Sequence, residues 1–230
     1  YEQKALVMRG AALGVHEAHR AGLIHRDLKP SNIMVERGAD GALRPFVMDF
    51  GIARDWNESA TATGTVLGTP QFMAPEQARG EIKQLDRRAD VYGLGATLYA
   101  LLTGKAPIDG DNPLVVLNRI SLDEPPRPRT LDRDLPVDLE AIVMKCLEKD
   151  RGQRYDSARA LADDLGRFLD GAPVLARASA GLGYRLRKTV RRHWRPLLVA
   201  IAMVATVAIA VGYGWRERAA AGQRAALARK

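Results

Sequence analysis

The sequence predicts a mainly α-helical chain of the α+β kind: a bundle of helices carrying one small β-hairpin, followed by a single transmembrane helix. Three observations predict it. Apolar residues recur three or four apart over residues 1–20, 89–103, 136–148 and 157–169, the spacing of a helix face turned to a core. The turn Asp40-Gly41 separates two short runs of strand character. Residues 196–214 hold nineteen consecutive residues without a charge.

In chain order, residues 1–20 read as a helix with Leu6, Gly10, Leu13 and Glu17 spaced three or four apart and Gly22 ending it. His16 and His19 on that helix have no cysteine or carboxylate at metal-ligand spacing, so they read as packed or solvated residues rather than ligands. Ile33–Glu36 and Arg44–Met48 then read as a strand pair ending at Asp49. Residues 52–73 contain Ser59, Thr61, Thr63, Thr65 and Thr69 but few apolar anchors, the composition of a flexible polar loop. Glu76 follows Pro75 and opens a short helix. Val91, Leu94, Leu98, Leu101 and Leu102 make residues 89–103 a strongly apolar helix closed by Gly104, and Asp90 reads on its own as an acid at a helix start. Pro125, Pro126 and Pro128 break the pattern before the last two helices, with which the domain closes by about Asp170.

At 230 residues the chain has room for one ordinary domain and appendages. Its net charge of +8 is unevenly held: residues 171–230 carry twelve Lys and Arg against one acid, Glu217, which leaves residues 1–170 at −3. The basic excess therefore belongs to the tail, and nucleic acid is not an expected partner. The single cysteine, Cys146, lies on the apolar side of its helix and reads as a small buried hydrophobe. No internal disulfide is available, as suits a reducing cytoplasm.

The densest chemistry lies in His25-Arg26-Asp27-Leu28-Lys29-Pro30-Ser31-Asn32. A carboxylate, an ammonium and a carboxamide fall within six residues, between the apolar pair Leu23-Ile24 and the apolar run Ile33-Met34-Val35. These are the groups phosphoryl transfer needs, because that reaction asks the protein to hold a hydroxyl, a triphosphate and metal ions in line and to neutralise spread-out charge. Asp27 can orient and deprotonate a hydroxyl, Lys29 can sit against the transferred phosphate, and Asn32 can offer an oxygen to Mg²⁺. Seventeen residues after Asn32 comes Asp49-Phe50-Gly51, and later Ala74-Pro75-Glu76. Asp49 is a second hard-oxygen donor of the kind Mg²⁺ prefers. Any one triplet is uninformative; the three in this order form a protein-kinase signature set.

With these motifs, and with Gly68-Thr69-Pro70, Asp90-Val91-Tyr92-Gly93-Leu94-Gly95 and Arg154, the chain resembles the membrane-anchored, eukaryotic-like serine/threonine protein kinases of bacteria over residues 1–170. The resemblance implies the helical C-terminal lobe of a kinase, with Asp27, Lys29 and Asn32 catalytic, with Lys29, Asn32, Met34 and Asp49 contacting ATP, and with Asn32 and Asp49 holding Mg²⁺. It implies that Met34 lies under the adenine and Phe50 packs internally. Arg26 would receive a phosphate from the loop at Thr61 or Thr63, adding about −2 charge that a guanidinium binds in bidentate fashion. Thr69 would bond to Asp27 and Lys29 and mark a Ser/Thr rather than a Tyr kinase. Glu76 would pair with Arg154, and Asp90 would anchor the backbone of the catalytic loop. Arg151 stands where the family has a proline, which leaves that local turn open.

The resemblance also implies an absence. No Gly-x-Gly-x-x-Gly loop, no Val-Ala-x-Lys strand and no glutamate partner for that lysine occurs. The 230-residue polypeptide is accordingly expected to be a C-terminal lobe with its anchor and to have little kinase activity alone. Residues 171–195 read as a basic juxtamembrane linker, 196–215 as a transmembrane helix and 216–230 as the start of an extracytoplasmic tail. The uncharged run would span ~29 Å, close to the hydrocarbon core, with Trp194 at one end and Tyr213 and Trp215 at the other. Seven Lys and Arg before the span against five after it put residues 1–195 inside, at a bacterial inner membrane. Expected partners are protein substrates bearing Ser or Thr, the membrane, and a second copy of the chain as a homodimer. A catalytically inactive pseudokinase scaffold tethered to the membrane is the alternative.

Overall fold

The computed structural model describes residues 1–50 and 70–181 and the positions 183, 184, 188 and 203. The chain divides into two compact units, Tyr1–Ala180 and Gly181–Lys230. Among the described residues no helix is long and apolar enough to cross a membrane. The expected transmembrane helix and the tail after it lie outside the described residues, save for Met203.

Helix α1 runs over Glu2–Arg20. Its inner face is a stripe of small and medium side chains, Ala5, Met8, Ala11, Ala12 and Val15, all buried. The hairpin follows a short turn at Pro30–Asn32: β1 (Ile33–Arg37) pairs antiparallel with β2 (Leu43–Val47), Ile33 opposite Val47 and Arg37 opposite Leu43. A two-stranded ribbon alone is marginal in water, so it needs a support. Helix α1 supplies one at Gly10, where an added Cβ would lie 2.6 Å from Pro45 Cγ. Only a hydrogen at that position lets the strand rest on the helix.

The core is built around α3 (Arg88–Thr103), in which Val91, Tyr92, Leu94, Ala96, Leu98 and Tyr99 are all buried. Apolar side chains on every face are the mark of a helix surrounded by protein. Helix α6 (Val137–Cys146) packs Leu139, Ile142, Val143 and Cys146 against it. Helix α7 (Ala158–Leu169), capped by the Ser157 hydroxyl on the Ala160 amide at 3.2 Å, lays Leu161, Ala162 and Leu165 on α1. The compact unit does not close at residue 170. Fully buried Asp164 accepts hydrogen bonds from the Leu175 and Ala176 amides and from the Tyr155 hydroxyl, and Arg177 pairs with Asp138 at 2.7 Å, so the chain is tied down to Ala180.

Three helices complete the unit: α2 (Pro75–Ala78), α4 (Pro113–Leu122) and α5 (Pro128–Leu131). Apolar periodicity does not reveal α4, and Pro128 opens a helix where the sequence predicts a break. Pro113 and Pro128 sit at the first helical position, where a missing N–H matters least. Asn112 caps α4 by accepting from the Val115 amide at 2.9 Å. Helix α4 escapes a pattern search because it buries only Val116 and Ile120, against Met73 and Ile108, while Leu114 and Leu122 remain exposed.

Candidate active site

The segment from His25 to Asn32 crosses the start of α3, and the fold grips it by its backbone. Asp90, in the first turn of α3 and buried, accepts from the His25 amide at 2.8 Å through Oδ2 and from the Arg26 amide at 2.7 Å through Oδ1. Its Oδ2 also accepts from His19 Nε2 on α1 at 2.7 Å, which steers the carboxylate so that each oxygen meets one amide. Arg26 has φ +66°, a left-handed conformation that L side chains resist and that persists only when the surroundings over-determine it. Leu28 then lies on Gly93 of α3, where an added Cβ would be 2.9 Å from Leu28 Cβ and 3.3 Å from its carbonyl oxygen.

This path turns three polar side chains to one place. Lys29 Nζ donates to Asp27 Oδ2 at 3.0 Å. Buried Asn32 donates from Nδ2 to the Asp27 carbonyl at 2.8 Å, which assigns the amide and leaves Oδ1 as its free-facing oxygen, touched by the Ser31 hydroxyl at 3.3 Å. The hairpin brings the next carboxylate. Met48 donates its N–H to the Asn32 carbonyl at 2.9 Å and accepts from His25 Nε2 at 2.9 Å, so Asp49, one residue on, is held beside the segment. Asp49 itself is exposed and has φ +57°. His25 is fully buried. With Nε2–H donating to Met48, its Nδ1 accepts the Asp27 amide at 3.3 Å, and its ring lies 4.6 Å from that of Phe50.

An amide oxygen and an exposed carboxylate are hard donors that fit Mg²⁺ and suit Zn²⁺ poorly. Among the described residues no three or more His, Cys, Asp and Glu gather as a metal cage. A cation held by Asn32 and Asp49 would complete its shell with phosphate and water oxygens, the arrangement expected for Mg²⁺ at a nucleotide.

A second polar centre lies under α2. Arg154 donates to Glu76 through Nη1 at 2.7 Å and Nη2 at 2.8 Å, both side chains being buried. Its remaining donors reach the carbonyls of Glu148, Arg88 and Lys149, and its guanidinium lies 5.1 Å over the Tyr92 ring. The turn that holds Arg154 forms with Arg151 in place, closed by the Gly152 amide on Asp150 Oδ1 at 2.7 Å. Burial pushes the Cys146 thiol well above its ordinary range, so it stays protonated and inert.

The structure thus gathers Asp27, Lys29, Asn32 and Asp49 at one place, pairs Glu76 with Arg154 and sets Asp90 beneath the loop. Met34 lies half-exposed on β1. Thr61, Thr63 and Thr69 lie outside the described residues. Sequence reasoning missed three contributors. His19 carries a signal only as a histidine one helix turn from the loop, His25 only as part of the motif, and Gln77, which bonds to the Arg26 carbonyl at 2.8 Å, only as an amide at the third position of a short helix.

A family described as the protein kinase domain matches residues 2–165. The chain is 43% identical over 175 residues to a probable serine/threonine-protein kinase of Streptomyces coelicolor, covering 75% of this chain and 25% of that protein. It is 42% identical over 170 residues to the serine/threonine-protein kinase PknB of Mycobacterium tuberculosis, covering 73% and 26%. The chain therefore spans about a quarter of the length of these curated relatives. Among solved structures, Rad53 residues 1–466 in complex with AMP-PNP superposes with a TM-score of 0.55 at 23% identity, covering 70% of this chain and 38% of that one. That likeness supports a protein-kinase-like fold, mostly helical with a small two-stranded sheet.

Proposed function

The chain belongs to the protein kinase domain family, and from that premise we propose that it carries the catalytic groups of a serine/threonine kinase moving the γ-phosphate of ATP to protein hydroxyls. The observation that carries this reading is the Lys29 ammonium 3.0 Å from Asp27 Oδ2, on a carboxylate whose own backbone carbonyl is held by Asn32. Asp27 orients the acceptor hydroxyl and takes its proton at a carboxylate oxygen. Lys29 lies where a transferring phosphate passes and offsets its charge. Asn32 and Asp49 would hold Mg²⁺, which would supply neutralising charge at the phosphates. Met34 offers an apolar surface to the adenine.

Autophosphorylation of Thr61 or Thr63 belongs to the same proposal. Among the described residues the buried Arg26 Nε has no hydrogen-bond partner, which suits a guanidinium that accepts a phosphate from the neighbouring segment. By resemblance, Thr69 would bond to Asp27 and Lys29. We place the protein at a bacterial inner membrane with residues 1–195 cytoplasmic. Support comes from the uncharged run at 196–214, its flanking aromatic residues and the basic excess before it.

The test is phosphate incorporation from ATP by the polypeptide as its gene encodes it, beside Asp27→Asn. The expected result is phosphate on Thr61 or Thr63 whose rate of appearance falls by about 10²–10⁴ in the mutant, the usual worth of a positioned base. Binding of ATP with no transfer in either protein would replace the kinase with a pseudokinase scaffold.

A further inference from the structure

We infer that Gln77 is a positioning residue for Asp27: its carboxamide fixes the Arg26–Asp27 peptide and couples α2 to the catalytic carboxylate. The inference rests on the reading of Asp27 as the group that orients the hydroxyl. Its geometry does not.

Arg26 is held in a left-handed conformation, φ +66°, by bonds at both ends of the residue. Its N–H is bound by Asp90 at 2.7 Å and its carbonyl by Gln77 Nε2 at 2.8 Å. The peptide that carries this carbonyl is planar and also carries the Asp27 N–H, so rotating one end rotates the other and swings the Asp27 Cα. Asp90 grips only the preceding amides, of His25 and Arg26, and the Asp27 N–H of this peptide has one long bond, 3.3 Å, to His25 Nδ1. Gln77 adds the short bond that fixes it at the carbonyl end.

The side chain is itself over-determined. Gln77 is buried, and its Oε1 accepts the Ala74 amide at 3.1 Å, which fixes the orientation of the carboxamide and directs Nε2 at Arg26. Ala74 offers no side-chain acceptor in return, and the turn takes its side-chain bond from Gln77. Helix α2 is anchored one residue earlier by Glu76 on Arg154. The space between Arg26, Asp27, Gln77 and Asp90 is a cavity of about 10 Å³, room for one water at most. A displacement of α2 therefore reaches the Arg26–Asp27 peptide through the Gln77 carboxamide.

The experiment uses the isotopically labelled 230-residue chain and follows amide exchange at Arg26 and Asp27 by NMR in Gln77→Glu. That change keeps the acceptor for the Ala74 amide and, at neutral pH, removes the donor to the Arg26 carbonyl. Exchange at both amides is expected to quicken about tenfold, the effect of one lost net hydrogen bond, while amides within α3 hold theirs. Acidification that protonates the introduced carboxyl restores the donor and should restore protection, a rescue that general loosening would not show. Unchanged exchange at Asp27, or equal quickening throughout α3, overturns the proposal. If the charge unfolds the chain, Gln77→Met, similar in size and without a donor, reads the same two amides with the same two outcomes. The readout needs no phosphate transfer, so a gene-encoded polypeptide that binds ATP without transferring phosphate would defeat the functional reading and leave this one standing or falling on its own.

Discussion

Arg154 with Glu76 and Lys29 with Asp27 are both cation–carboxylate pairs within one domain, and the fold treats them in opposite ways. Arg154 is sealed: its side chain is 0% and that of Glu76 5% exposed, the contact is bidentate, and the other guanidinium donors reach three carbonyls. Lys29 and Asp27 are 19% and 14% exposed, and among the described residues one 3.0 Å bond joins them. A guanidinium is a planar fork that can be saturated by fixed oxygens, whereas an ammonium on a flexible stem keeps donors to spare. The saturated pair suits a structural joint, and the open one suits a place where a third charged group must enter.

The first way to break this contrast is Arg154→Met. It leaves Glu76 charged and buried without a partner, and the expected loss of stability is about 3–5 kcal/mol, read from urea unfolding. Lys29→Met should cost less than Arg154→Met, because its pair keeps contact with solvent. Equal losses would mean that the two pairs do the same work. Gly93→Ala tests the seat of the open pair. The added methyl meets Leu28 Cβ at 2.9 Å, and overpacking of this kind costs about 1–3 kcal/mol. Thermal unfolding should register the cost.

The smallest effect is confined to high pH. Burial raises the Tyr155 hydroxyl, with help from the charge of Asp164, and burial also raises Tyr92. Since the folded state holds these protons more tightly than the unfolded chain, their contribution is complete below the unfolded value of about 10 and is lost as pH climbs above it. Tyrosinate absorbance should show these two phenols ionising together with unfolding, not before it. A separate, earlier ionisation would show that the interior around Arg154 and Asp164 is wetter than the structure implies.

Much of this was legible in the chain. Helices α1, α3, α6 and α7 and the hairpin fall within a few residues of their expected bounds, because each helix buries a continuous apolar stripe and the hairpin is marked by its Asp40-Gly41 turn, signals that survive without knowledge of neighbours. Helix α4 was illegible because two buried residues make no period, and the closure at Ala180 because it depends on Asp164 receiving amides from a segment with no pattern of its own. At the site, the motif residues announce themselves by type and order. His19 and Gln77 do not, since a histidine on a helix and a glutamine after a proline acquire meaning only from what faces them.

The sequence by itself determined the order of the long helices and the hairpin, their apolar faces and the motifs that single out Asp27, Lys29, Asn32 and Asp49, since periodicity and short motifs are local properties of a chain. The tertiary structure alone decided that Asp90 and Gln77 clasp a left-handed Arg26, that Glu76 meets Arg154 across 78 residues, and that one ion pair is sealed while the other stays open. Those outcomes depend on burial and on distances between residues far apart in the chain, which no local pattern encodes.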